Sequence, residues 1–330
     1  RDTSELYAQL RERLSAVRDN QDFNYPSSFS EREIIKTTGA IRYMKLRAIL
    51  FLPMILLLFL LGCSLVPENS DMDFYALIIG INYDTNPLVN NLNYCEDDAN
   101  SMESSLLNSG WEAAEIIKLL GPAATKAGIE NALNSIMSQA GAKDLVLVYF
   151  SGHGFTLIDL SGDEKDGYDE AIVPVDCDPS DPATFLTDDE LRTLFKISRT
   201  QKGVFIIDSC YSGGLINKPV SMTSLTPKSL DALSARGSGG SGDLDALIFP
   251  VMTAASQYEE SWEDHSLGHG IFTYFLIEGL AGQRADRSGD GFITVRELFH
   301  YAENHTEIYI PIQHPVMRFP MDFIDILITR

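Results

Sequence analysis

The chain has 330 residues, 45% of them hydrophobic, which is enough to bury one main α/β core with length to spare at the ends. Its 47 acidic and 25 basic residues leave a net charge of -22, which opposes nucleic-acid backbones and anionic membrane surfaces and favours cationic partners. Four cysteines, Cys63, Cys95, Cys177 and Cys210, form no C-x-x-C pair and no zinc spacing, so neither a disulfide framework nor a structural metal site is indicated.

Residues 1–43 do not begin with Met and are read as a mis-assigned upstream segment or a cytosolic extension outside the fold, although Leu6, Leu10 and Leu14 share a helical face. Residues 44–63 open on Met44 with Lys45 and Arg47, run apolar from Ala48 to Leu61 and close on Gly62-Cys63. Basic, apolar, then small is the order of a signal peptide. Fourteen helical residues rise about 21 Å, short of the roughly 30 Å hydrocarbon core. The ending resembles a bacterial lipobox, which implies lipidation of Cys63 and a protein anchored to a membrane of the bacterial cell envelope. An uncleaved signal anchor in the inner membrane is the alternative.

Residues 64–73 form a short polar linker, and the remainder, 74–330, alternates strands with helices. Strands are expected at Phe74 to Ile81, in "EIIKLL", at Asp144 to Gly152, Gly203 to Asp208 and Ala246 to Ala254, with a last one in "MDFIDILI". Helices are expected in "CEDDANSMESSLLNSG", closing at Gly110, from Thr125 to Ala140, in "TDDELRTLFKI" and in "GIFTYFLIEGL". Apolar strands alternating with helices imply a mainly parallel sheet flanked by helices on both faces. The stretch from Ser234 to Asp245, rich in Gly and Ser, reads as a flexible loop.

In such sheets ligands sit beyond the carboxyl ends of the strands. Two strands deliver reactive residues there. One ends in "SGHG", with His153 between two glycines, and the other in "DSCYSGG", with Cys210. Taken alone, a cysteine after an apolar strand reads as an inert buried thiol and a histidine between glycines as a turn residue. Paired, they supply a nucleophile and the base that activates it, since a thiol attacks a carbonyl only after losing its proton.

"YFSGHG" followed by "DSCYSGG", with "YALIIGINYD" upstream and "HGIFTYFLIEGL" downstream, resembles the caspase-like cysteine peptidases (peptidase C14 type), most closely the bacterial metacaspases. The resemblance implies a caspase-like sandwich, with His153 as general base and acid, Cys210 as nucleophile, and the amides of Gly154 and Cys210 as oxyanion donors. Tyr211 stands where many metacaspases have histidine, and the caspase Q-A-C-x-G form is missing, so cleavage after aspartate is not expected.

"LNYCEDDA" is similar to the family's L-x-x-C-x-x-D pattern, which maps Asp98 onto an acid of the first specificity pocket. Asp208, two residues before Cys210, points to the same side of an extended chain. Two carboxylates in a partly dry pocket select a cationic side chain, so protein or peptide substrates with arginine or lysine are expected. The plainer readings are a first-turn acid for Asp98 and a strand-end cap for Asp208.

The resemblance also implies calcium at Asp169, Asp188 and Asp189, although Asn217 replaces a fourth expected acid and Thr187 with Glu190 forms a capping box. Residues 286–297 separately fit an EF-hand-like calcium loop: Asp286, Ser288, Asp290, Phe292 through its carbonyl, Thr294 and Glu297, with Gly291 at the sharp turn. An acidic turn closed by a Thr294 to Glu297 capping box explains the same residues without metal. His265, His269, His300, His305 and His314 show no ligand spacing, and Trp262 suits either a groove wall or the core. The loop from Leu215 to Asp245 contains Lys218, Lys228 and Arg236, of which Arg236 is the expected self-cleavage point. The whole reads as a lipid-anchored, calcium-modulated endopeptidase. The alternative from another class is a calcium-binding envelope scaffold whose dyad is unused.

Overall fold

The computed structural model describes residues 72–159, 161–162, 167–209, 225–227, 249–256, 259–320 and 325–329, all within the unit Ser70–Arg330. Cys63, Cys210 and Arg236 lie outside the described residues. In chain order the larger elements are β1 (Phe74–Gly80), α1 (Cys95–Asn108), β2 (Ile116–Leu120), α2 (Lys126–Gln139), β3 (Leu145–Ser151), β4 (Gly154–Ile158), β5 (Tyr168–Ile172), β6 (Leu186–Thr187), α3 (Asp188–Phe195) and β7 (Lys202–Asp208). There follow β8 (Leu225–Pro227), β9 (Val251–Thr253), β10 (Trp262–Asp264), β11 (His269–Gly270), α4 (Ile271–Leu280), α5 (Val295–Tyr309) and β12 (Val316–Arg318). The main sheet has the order β12-β9-β7-β3-β1-β2. Its pairings are parallel except at the β12 edge.

Every residue of β3 is buried, because helices cover both faces of the sheet and leave no solvated side. Val146, Val148 and Phe150 join Ile129, Leu133 and Ile136 of α2 and Leu191 and Phe195 of α3 in one core. The alternate residues Leu145, Leu147 and Tyr149 join α1, α4 and α5 in the other, through Met102, Phe272 and Phe299 among others. Gly80 lets α1 lie directly on β1: a Cβ there would stand 2.3 Å from the Cys95 carbonyl oxygen and 2.7 Å from Ala99 Cβ. That close approach brings the first turn of α1 to the sheet's carboxyl edge.

Two expectations need correction. The last strand of the main sheet is Val316–Arg318, antiparallel to β9, whereas Leu327 makes only an isolated bridge to Thr294. Ile326 and Ile328 are buried against the second core, pair with the stretch leading into α5 through the Val295 N–H to the Ile326 carbonyl at 2.8 Å and the Ile328 N–H to the Ile293 carbonyl at 2.7 Å, and stay outside the main sheet. The segment between Leu215 and Asp245 is not loop throughout, since β8 pairs with β10. The fifteen-residue α5 was legible only through its Thr294–Glu297 capping box, which the structure contains. Trp262 packs against the second core. Among the described residues no helix is long and apolar enough to cross a membrane.

Candidate active site

His153 follows the last residue of β3 by two positions and is 1% exposed. The Tyr83 hydroxyl donates to the Val173 carbonyl at 2.6 Å and accepts the His153 N–H at 3.0 Å, while the His153 carbonyl accepts the Val173 N–H at 3.1 Å. The two rings pack with centroids 4.7 Å apart. Gly152 is required for this approach, because a Cβ would lie 2.9 Å from the Tyr83 hydroxyl and 2.7 Å from Phe150 Cζ. The imidazole is fixed as well as the backbone. Nε2 stands 2.7 Å from the Asn90 carbonyl, which only accepts, so Nε2 carries the proton and Nδ1 of the neutral ring is the basic nitrogen.

β3 and β7 are neighbours, and their register pairs Ser151 with Asp208. The Gly152 N–H donates to the Asp208 carbonyl at 3.3 Å, just past the last paired position. Cys210 follows Asp208 by two residues in the chain, as His153 follows Ser151. The described cysteines do not suit a nucleophile's role. Burial pushes the Cys177 thiol up to about 11, and the buried Cys95 thiol donates to Glu263 at 3.5 Å. Gly154, the expected oxyanion donor, opens β4 opposite Ile172.

Asp98 and Asp208 are both 0% exposed, and both reach the N-terminus of α4. Asp98 Oδ1 accepts the Gly270 N–H at 3.0 Å and lies 2.9 Å from His269 Nδ1, while Oδ2 accepts the Ser151 hydroxyl at 2.8 Å. Asp208 Oδ1 accepts the Ser261 hydroxyl at 2.6 Å, and Oδ2 accepts the hydroxyl of Thr273 at 2.6 Å and its N–H at 3.3 Å. Gly270 is the N-cap of α4 and Thr273 belongs to its first turn, so both acids meet otherwise unpaired helix donors and the positive end of the dipole. That arrangement stabilises two negative charges that burial alone would disfavour. Glu263 does the same for α1, accepting the N–H of Asn93 at 3.0 Å and of Tyr94 at 2.9 Å. The segment from Ser261 to Thr273 thus holds both candidate pocket acids, a role that no spacing in the sequence shows.

The calcium candidates occupy two places. In the first, Asp188 and Asp189 open α3 behind the Thr187–Glu190 capping box, Asp189 is paired with Arg192, and Asp169 lies on β5. In the second, Asp286 Oδ2 accepts from Gly291 at 2.8 Å and Oδ1 from Gly289 at 2.7 Å, from Asp290 at 3.3 Å and from the Ser288 hydroxyl at 3.1 Å. These bonds, the Gly291 amide first, hold the Asp286 carboxyl below the usual range. Asp290 accepts the Phe292 N–H at 2.9 Å. Glu297 accepts the Ser288 N–H at 2.9 Å through one oxygen and the Thr294 N–H at 3.1 Å through the other. Among the described residues no group of three or more His, Cys, Asp or Glu is arranged as a metal site.

The Peptidase C14 family, the caspase domain, matches residues 73–319. Metacaspase-1 of Schizosaccharomyces pombe is 28% identical over 258 residues, covering 70% of this chain and 60% of its own length. Metacaspase-1B of Aspergillus clavatus is 34% identical over 198 residues, covering 54% and 46%. This chain therefore spans about half the length of the curated relatives it matches. The crystal structure of a Geobacter sulfurreducens protein superposes with a TM-score of 0.54 at 21% identity, over 76% of this chain and 95% of that one, which is a likeness of fold. With the parallel sheet and the paired strand ends in place, the chain belongs to the caspase-domain family.

Proposed function

We propose that the chain is a metacaspase-type cysteine endopeptidase that cleaves peptide bonds after arginine or lysine. The observation that carries this reading is the Ser151–Asp208 register, because it brings to one sheet edge the two strands whose next residues include His153 and Cys210. His153 Nδ1 takes the Cys210 proton, the thiolate attacks the scissile carbonyl, and the imidazolium then protonates the leaving amine. Water hydrolyses the resulting thioester with the same histidine as base. The amides of Gly154 and Cys210 are assigned to the developing oxyanion. Support for basic specificity comes from Asp98 and Asp208, since Asp98 is bonded to Ser151 and Ser151 is the register partner of Asp208. A guanidinium or ammonium group answers that pair of charges.

The loop 286–297 is assigned to calcium. Its side-chain donors are all oxygens, suited to a hard ion, and the loop is folded on itself, with the Ser288 hydroxyl on Asp286 and the Ser288 N–H on Glu297. A bound ion would supply positive charge that ties the loop to the first turn of α5. Asp169, Asp188 and Asp189 fit less well, because Arg192 already neutralises Asp189. Lipidation at Cys63, placement on the cell envelope and self-cleavage at Arg236 complete the proposal from the sequence. Steady-state hydrolysis of matched arginyl, lysyl and aspartyl peptides, with and without calcium, tests the reading. Rapid turnover of the basic peptides alone supports it, whereas no turnover by a folded preparation favours the scaffold.

A further inference from the structure

The hairpin from β10 to β11 is built to aim one side chain. Asp264 and His269 are antiparallel partners, the turn between them is closed by the N–H groups of Leu267 and Gly268 on the Asp264 carbonyl at 3.1 and 2.9 Å, and Gly268 takes a φ of +68°. The Asp264 carboxylate accepts the Ser266 N–H at 2.7 Å and the Tyr309 hydroxyl at 2.6 Å, which ties the hairpin to α5. His269 then presents Nδ1 to Asp98 Oδ1 at 2.9 Å, with its own side chain 19% exposed and that of Asp98 0%. The next residue in the chain, Gly270, gives its amide to the same oxygen. Ser151 holds the other oxygen from the strand that leads to His153. The Gly270 amide also reaches that second oxygen at 3.3 Å, so the Asp98 carboxylate pivots on Gly270 between His269 on one side and the Ser151 hydroxyl on the other.

We propose that His269 is a specificity-positioning residue: its Nδ1–H bond to Asp98 orients that carboxylate to receive the basic side chain of the substrate. The inference rests on the reading of Asp98 as a pocket acid. A donor that fixes a carboxylate in one plane favours a guanidinium, whose two N–H groups need that plane. Losing the donor lets the carboxylate turn, which weakens ground-state and transition-state binding alike and raises KM while leaving kcat in place.

The test compares His269→Asn with His269→Leu. The two replacements have nearly the same shape, and only asparagine carries an N–H donor close to the Nδ1 position. Kinetics are measured on arginyl peptides together with melting curves, and Asp98→Asn is assayed in parallel. The Leu variant is expected to raise KM about tenfold with kcat within about twofold, and the Asn variant to return KM to within about threefold of the parent. Equal KM values in the two variants, or a fall in kcat at unchanged KM, overturn the proposal. If the Leu variant does not fold, a tenfold rise of KM in the Asn variant overturns it. A normal KM in Asp98→Asn removes the pocket reading itself and this inference with it. A raised KM in Asp98→Asn beside a parent-like Leu variant removes the inference alone.

Discussion

Ser151 and Asp208 are register partners at the ends of the parallel strands β3 and β7, and each is tied to the surroundings of α4's N-terminus, Asp208 through Thr273 and Ser151 through Asp98. The same edge therefore carries His153, the candidate specificity acids and the end of the strand that the sequence continues toward Cys210. This geometry makes the chemistry sensitive to residues that never touch substrate.

Tyr83 is one such residue. Its hydroxyl bridges the Val173 carbonyl and the His153 amide inside the core, so Tyr83→Phe leaves both without that partner. We expect a loss of about 1–3 kcal/mol in stability. A fall in kcat of about tenfold should accompany it, because a loosened imidazole spends less time in line with the thiol. Denaturant titration and steady-state kinetics check both, and an unchanged kcat in a destabilised variant would confine Tyr83 to structure.

Thiol chemistry should separate the cysteines. With its thiol at about 11, Cys177 is ionised to about one part in a thousand at pH 8 and is shielded by burial. Iodoacetamide at pH 8 should leave Cys177 unmodified in the native protein and modify it once the chain is unfolded, as read by peptide mapping. Rapid native labelling of Cys177 would contradict the burial argument.

Both candidate pocket acids are buried among donors, so amide replacement of either leaves one donor facing an NH2 group. Asp208→Asn puts an NH2 group against the hydroxyl or amide donors of Ser261 and Thr273, a buried mismatch of about 1–3 kcal/mol. It should lower both stability and turnover of arginyl peptides. Asp98→Asn should raise KM for arginyl peptides about 10-fold to 100-fold, the equivalent of one hydrogen bond to a charged group. A change in kcat/KM of the same size on aspartyl and arginyl peptides would show that neither acid reads the substrate's charge.

Calcium and helix capping can be told apart at Glu297. Glu297→Gln keeps an oxygen to accept the Thr294 amide of the capping box and loses the charged, bidentate ligand at loop position 12. We expect the apo protein to melt a few degrees below the parent, because the half-buried side chain loses its first-turn charge and the oxygen that accepts the Ser288 N–H. The rise in melting temperature on adding calcium should be largely lost. An equal calcium shift in parent and variant places the ion elsewhere.

The long buried strands were legible because each is an uninterrupted apolar run, and β1, β3 and β7 fall within a residue or two of their expected bounds. The placement of His153 and Asp98 at the carboxyl edge of the sheet was legible through motif and turn. The contact of His269 with Asp98 was not, since it joins residues 171 positions apart through a hairpin whose strands are two and three residues long. Strands that short show no period. The misplaced last strand has the same origin in reverse: Ile326 and Ile328 alternate as a strand would, yet they pair with the stretch leading into α5 and stay outside the main sheet.

The central claim is that Cys210, activated by His153, attacks the carbonyl that follows a basic residue. Active-site titration with an arginyl acyloxymethyl ketone, followed by peptide mapping, tests it most directly. The account predicts one adduct per chain, located on Cys210, formed at least about a thousandfold more slowly in His153→Ala and not formed with the aspartyl reagent. An adduct on another residue, or labelling of Cys210 no faster than that of free cysteine, would contradict it.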